Sequence, residues 1–282
     1  MHELIFFSML LLVFIRLLGI IVSVNFYYES KTNTYIYLTI GWCFWVIAGI
    51  VTLLSAIVIN QTQEKLFLLM NYIFGPLAIF FITSGLCSYY INISSNKIRV
   101  FSVVLIILPL TIYLSLGIIL VAFYARIFQF LGIIFMILIP ILKYNTFKKK
   151  IGKSIRWYYL MCFSIALYIP IAVFSMITSI SSGLFQSENI TIIVGAYLSI
   201  IIMTILLIAF IIHLEYTISN KQQYQLKDKY SHELGNIMQV IYSASDIVKR
   251  ITKLENDEEE KLNLIERKCK EASKLINEIR NI

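Results

Sequence analysis

Seven solidly apolar runs dominate residues 4–214, at positions 4–28, 35–59, 66–92, 99–122, 125–144, 157–180 and 190–214. The hydrocarbon core of a bilayer is about 30 Å thick and a helix rises about 1.5 Å per residue, so about 20 such residues cross it. Within that core the backbone amides find no water, and a helix pairs them internally. The runs are separated by polar breaks at 29–34, 60–65, 92–99, 143–156 and 181–189. A sixth break is weaker: near Tyr124-Ala125-Arg126, only Arg126 interrupts an apolar stretch from 100 to 142. That stretch is about twice what one span needs, which predicts two helices joined by a tight turn there.

Charge places the ends. Only 14% of the residues are charged and 59% are hydrophobic, where a soluble domain carries about a quarter charged, so a water-soluble fold is excluded. Residues 1–214 hold twelve Lys/Arg against Glu3, Glu29, Glu64 and Glu188, which accounts for the whole net charge of +8; residues 215–282 hold twelve of each sign. A positive membrane part suits anionic lipid headgroups. It does not suit nucleic acid, because no basic run is interleaved with aromatic residues in a soluble segment. The loop 143–156 carries six Lys/Arg and 181–189 carries none, so the former is expected on the cytoplasmic side. With seven spans the N-terminus then lies outside and the tail inside, with nine basic loop residues inside against two outside. Met1-His2-Glu3 lacks the basic start of a signal peptide, so the first run is expected to stay attached as a span.

Within the spans, Arg16 sits near the middle of the first run with no acidic residue at comparable depth. A charge there costs a few kcal/mol on insertion scales and marks a position for intramembrane sensing. A carbonyl, a hydroxyl, Asn71, a snorkelled lipid phosphate or an anionic ligand could face it. Pro76, Pro109, Pro140 and Pro170 fall in spans three to six, as hinges or as the ordinary irregularity of membrane helices. Tyr27, Tyr28, Tyr35, Tyr89, Tyr90, Trp157 and Tyr158 read as interfacial anchors. Cys43, Cys87, Cys162 and Cys269 form no CxxC pair and read as small hydrophobes. Asn60 and Asn189 lie in glycosylation triplets on the expected outer side.

Beyond His213 the pattern becomes amphipathic. Tyr230, Leu234, Ile237, Ile241, Ala244, Val248 and Ile251 recur at alternating spacings of four and three, the seam of a helical bundle. Glu255-Asn256-Asp257 supplies a turn and an acidic helix start, followed by a second stripe at Leu262, Ile265, Cys269, Ala272, Ile276 and Ile279. The two helices are expected to fold back as an antiparallel hairpin that buries these stripes, and two copies to pair into a four-helix bundle. The expected fold is therefore all-α: a seven-helix transmembrane bundle in 1–214 and a dimerising cytoplasmic hairpin in 215–282.

The segment Ser231-His-Glu-Leu-Gly-Asn-Ile-Met-Gln-Val-Ile241 resembles the phosphoacceptor box of sensor histidine kinases, which reads His-Glu-x-x-Asn or His-Glu-x-x-Thr at the head of a dimerising hairpin. The resemblance implies that His232 takes the phosphoryl group, that Glu233 is the neighbouring acid/base group, and that Asn236 orients transfer or dephosphorylation. Independently of it, Asn236 stands one turn from His232 on the same face, and a carboxylate beside an imidazole can take its proton so that a ring nitrogen attacks phosphorus. Gly235 departs from the bulkier basic residue common at that site, and no proline follows Asn236. The resemblance covers about eleven residues plus the hairpin.

Members of that family carry an ATP-binding lobe with Gly-rich loops after the hairpin, yet the last glycine here is Gly235. No cofactor is therefore expected on this chain; ATP and Mg²⁺ belong to a catalytic lobe, either lost by truncation or supplied by a separate kinase. The expected partners are a second copy through 215–282, a response-regulator aspartate, that lobe, and the lipid bilayer. A non-enzymatic receptor or scaffold with a dimerising tail is the alternative. A transporter or channel is disfavoured because Arg16 is the sole charge read within the spans.

Overall fold

The computed structural model describes residues 2–58, 60–89, 91–178, 190–251 and 256–281. Its helices are α1 (His2–Ser30), α2 (Asn33–Ile57), α3 (Gln61–Ser88), α4 (Ser95–Leu116), α5 (Ile118–Leu142), α6 (Tyr144–Ile151), α7 (Ile155–Thr178), α8 (Ile190–Ile251) and α9 (Asn256–Asn281), with a 3₁₀ turn at Gly152–Ser154; no strand occurs among the described residues. The chain divides into two compact units, residues 1–215 and 216–282, and α8 contributes to both.

In the first unit α1 to α5, together with α8, are long and apolar enough to cross a membrane, which makes this a membrane protein. The 24 residues of α7 include the apolar stretch Ile155–Leu167. Helix α1 shows why lipid must surround the bundle. One face buries Met9, Leu12, Val13 and Arg16, while the opposite face exposes Phe7, Leu11, Phe14, Leu18 and Ile21. A helix that is apolar on both its packed and its unpacked sides is stable where the solvent is itself apolar.

Lipid tails are as apolar as leucine, so helices in a membrane gain little from hiding apolar surface and associate through close packing. Glycine supplies that closeness here, reciprocally. At α1 against α2, Gly19 faces Trp42 and Gly49 faces Val13; at α2 against α3, Gly41 faces Ile82 and Gly85 faces Leu38; at α3 against α5, Gly132 faces Ile79 and Gly75 faces Gln129. The numbering runs in opposite senses across the first two interfaces, so those pairs are antiparallel. It rises together across the third, so α3 and α5 are parallel. Aromatic rings fill the remaining space: Phe44 stacks on Phe74 at 5.7 Å, and Phe101 lies between Phe80 at 5.2 Å and Phe128 at 6.0 Å.

The turn between α4 and α5 corrects the expectation from sequence. It lies at Gly117, not near Arg126, and Arg126 is part of α5. Gly117 adopts φ +88°, the left-handed region where a Cβ would be strained, and it is the sole glycine between residues 100 and 131. Backbone freedom, not charge, fixed the turn. Arg126 thereby becomes a second cation inside the spans, so the premise that Arg16 stands alone there does not hold. The prolines do not interrupt their helices: α3, α4, α5 and α7 run through Pro76, Pro109, Pro140 and Pro170. Asn60 caps α3 by accepting the Thr62 backbone N–H at 2.9 Å, which gives this triplet a structural use; Asn189 lies outside the described residues.

In the second unit a few side-chain contacts join α8 and α9, and their numbering runs in opposite senses. Lys249 pairs with Glu266 at 2.9 Å and donates to Asn263 at 2.7 Å, while Lys270 lies over the Tyr242 ring at 5.6 Å. The residues from 252 to 255, where Glu255 of the expected turn falls, lie outside the described residues. The face that α8 uses differs from expectation. Among the described residues, Ser231 and Ser245 are the buried α8 residues of this unit, and Cys269 of the α9 stripe is buried too, whereas Leu234, Ile237, Ile241 and Val248 of the α8 stripe are exposed. The Lys249 contacts join the pair, and the larger apolar side chains of α8 are left exposed.

Candidate functional site

His232 is carried mid-helix on α8, where the helical ladder fixes its backbone; 57% of the side chain is exposed. Its Nε2 lies 3.7 Å from a carboxylate oxygen of Asp228, one turn earlier. Glu233, adjacent in sequence, points back to Lys229 at 3.8 Å. Asn236 is exposed one turn after His232. The carboxylate placed against the imidazole is thus Asp228, which sequence reading passed over although its i−4 spacing puts it on the same face. An acidic side chain there can hold or accept the imidazole proton.

Arg16 is buried, with 6% of its surface accessible. Its Nη1 donates to the Trp45 carbonyl at 3.0 Å, and its guanidinium carbon lies 4.4 Å from the centre of the Trp45 ring. The tryptophan therefore meets it with both a carbonyl dipole and a π-face. Helices α1 and α2 can place these groups together because Gly49 brings the backbones close: a Cβ on Gly49 would lie 3.3 Å from Arg16 Nη1. Beside the guanidinium is a cavity of about 180 Å³ whose wall includes Asn71 and Gln129. Gln129 was not singled out from the sequence, since an isolated amide in an apolar run carries no pattern.

At one end of the bundle, polar groups join helices distant in sequence. The Tyr89 hydroxyl donates to the Tyr35 hydroxyl at 2.7 Å, and Tyr35 donates to the buried carboxylate of Glu215. Thr34 and Ser88 hydroxyls meet at 2.6 Å beside them. Ser154, just before α7, is 3.0 Å from both Nδ1 and the carbonyl of His213 on α8. Tyr35 and Tyr89 had read as interfacial anchors; they also tie the start of α2 and the end of α3 to the last residue of the first unit. Tyr35→Phe is expected to cost about 1–3 kcal/mol, because a buried carboxylate loses its donor. The measurement is the unfolding midpoint of the detergent-purified chain, and adding Glu215→Leu should restore part of the loss. An unchanged midpoint for Tyr35→Phe would show that the tie contributes nothing.

Among the described residues, no group of three or more His, Cys, Asp or Glu is arranged to hold a metal ion. Compared with protein-family models, with curated proteins and with solved structures, the chain matches none, so the functional reading stands on its own residues.

Proposed function

We propose that this protein is the membrane sensor of a two-component phosphorelay, with seven spans, its N-terminus outside and its tail in the cytoplasm. With Arg16, Lys65, Lys97, Arg99, Arg126 and Arg156 inside the long helices, the other basic residues of 1–214 are Lys31, Lys143, Lys148, Lys149, Lys150 and Lys153, all on the cytoplasmic side in this orientation, which supports it. The 24 residues of α7 reach about 36 Å at about 1.5 Å per residue, enough for the seventh crossing. His232 accepts a phosphoryl group and passes it to an aspartate of a response regulator. The observation that carries the reading is the exposed imidazole of His232, with Asp228 against its ring and Asn236 one turn on.

In the chemistry, a ring nitrogen attacks the γ-phosphorus of ATP held by a catalytic lobe. The N–P bond forms as the bond to the ADP oxygen breaks, the imidazole proton passes to a carboxylate, and Mg²⁺ on that lobe offsets the charge. The aspartate oxygen of the regulator then displaces the histidine. Two copies pair through the exposed stripe of α8. The tie of Tyr35 and Tyr89 to Glu215 gives the sensor a point from which a change of packing can rotate α8, between arrangements close in energy.

The test is to incubate the full chain in nanodiscs with a purified ATP-binding lobe of a sensor kinase and γ-labelled ATP. An acid-labile, alkali-stable label lost on His232→Gln is expected. No label with lobes from several kinases overturns the phosphoacceptor reading and favours a non-enzymatic receptor whose tail only dimerises.

A further inference from the structure

The most basic segment of the chain is a built part of the bundle. Lys143, Lys148, Lys149, Lys150, Lys153 and Arg156 fall within fourteen residues, and no Asp or Glu occurs between Glu64 and Glu188. Only Lys143 separates α5 from α6, and its carbonyl accepts the Phe147 N–H at 2.9 Å, so α6 begins where the apolar run of α5 stops. Phe147 is buried, its ring edge-on to Tyr158 of α7 at 4.6 Å. Tyr158 meets Phe210 of α8 at 5.8 Å and donates to the Ile137 carbonyl of α5 at 3.0 Å. A tyrosine braced by three helices thus anchors α6. Beyond it, Gly152 takes φ +56° and Ser154 is held by His213 of α8. Fixed at both ends, the segment leaves Lys143, Lys148, Lys149 and Arg156 exposed. Among the described residues no carboxylate pairs with these four.

We infer that α6 and its flanks form a binding surface for anionic phospholipids, with the headgroups on the lysines and the acyl chains along the adjoining ends of α5 and α7. Leu142, Tyr159, Leu160 and Phe163 are exposed at those ends, an apolar surface within a turn or two of Lys143 and Arg156 along the chain. Lys148 Nζ lies 5.8 Å from the centre of the Tyr144 ring, so its stem follows an aromatic residue of the kind that sits at headgroup level. Clusters of about four to eight Lys/Arg beside a membrane helix gather negative headgroups. A soluble phosphate or an acidic protein would meet the same charges, but neither uses the apolar surface beside them. A phospholipid uses both, and its headgroup already lies at the level of the helix ends. Zwitterionic headgroups carry no net charge and gain little.

The surface rests neither on the signalling reading nor on which way the chain crosses the bilayer, because bound lipid is measured directly. The full chain is captured from mild-detergent micelles holding equal amounts of phosphatidylglycerol and phosphatidylcholine, and the lipid retained after washing is extracted and quantified against protein. Phosphatidylglycerol is expected to be retained about tenfold or more over phosphatidylcholine. A wash at about 1 M salt, where the screening length falls to about 3 Å, should release it, and soluble glycerol phosphate at the same concentration should not displace it. Lys148→Gln, Lys149→Gln and Lys150→Gln combined are expected to remove the preference, while the three corresponding Lys→Arg changes keep it. The same loss of charge on α9, Lys261→Gln, Lys268→Gln and Lys274→Gln combined, should leave it intact, which separates a local surface from the net charge of the chain. Should the α6 triple fail to fold, Lys148→Gln with Lys149→Gln and the salt wash of the native chain decide the matter. Equal retention of the two lipids, a preference that survives the salt wash or the folded α6 variants, an equal loss in the α9 variant, or displacement by glycerol phosphate would overturn the assignment.

Discussion

On the proposed pairing of two copies through α8, Ile237→Glu is expected to turn the dimer into a monomer. The α8 stripe of the tail leaves Leu234 46% and Ile237 52% exposed, with Ile241 and Val248 continuing it. An apolar stripe of that length facing water is costly, and α9 leaves it exposed. In a two-fold pair each substitution acts twice, once from each copy. Burying an aliphatic side chain of this size contributes about 1.5–3 kcal/mol, so losing two of them costs about 3–6 kcal/mol and weakens the pairing about a hundredfold or more, before the repulsion of two carboxylates is added. Asn236→Ala, on the His232 face, serves as the control and should leave assembly unchanged. Mass measurement of the detergent-purified chain at low micromolar concentration decides it; an Ile237→Glu variant that keeps the dimer mass would place the interface elsewhere.

The second large effect falls inside the membrane. Gly41→Leu is expected to abolish recovery of folded protein. A Cβ at Gly41 would lie 2.7 Å from Ile82 Cγ1, 2.9 Å from the Ile82 backbone nitrogen and 3.1 Å from the Ala78 carbonyl. Two of these are backbone atoms of α3, which cannot swing aside as a side-chain tip can. The helices would have to separate, and with them the reciprocal contact of Gly85 with Leu38 on the same interface. Overpacking usually costs about 1–3 kcal/mol and more where the backbone must shift. In a bilayer no compensating hydrophobic drive holds the helices together. Gly117→Ala tests a different property, since nothing lies within 4 Å of its Cβ and its effect is confined to the strained φ. Size-exclusion profiles of the detergent extracts compare the variants, and a monodisperse Gly41→Leu peak of native yield would contradict the packing described.

The long apolar helices and the helical nature of the tail were legible because their signals are periodic and redundant: each span repeats the same physical message over some twenty residues. Turn placement was less so. Arg126 looked like an interruption because charge is conspicuous, whereas the turn depended on one residue, Gly117, whose value lies in a missing Cβ. Arg16 could be flagged from a single letter, since any charge at that depth needs an account. Its surroundings could not, because Trp45, Asn71 and Gln129 come from three other helices and share no spacing with it. Glu215 was hidden for a similar reason: at the edge of a charged tail it resembles any solvated acid until the fold sets Tyr35 against it. In the tail, equal stripes on two helices suggested that they meet; the stripe records which residues are apolar, not which neighbour they serve.

Local chemistry along the chain therefore decided that it is helical, that its long apolar segments belong in lipid, and that His232 stands on a helix with an acid and an amide within one turn, since all of these follow from composition and period. Which helices touch, in which sense they run, what surrounds the buried guanidinium, and which face of α8 is left exposed were decided by tertiary packing alone. Those properties depend on where a few glycines let two backbones come together, and that is settled between segments far apart in sequence.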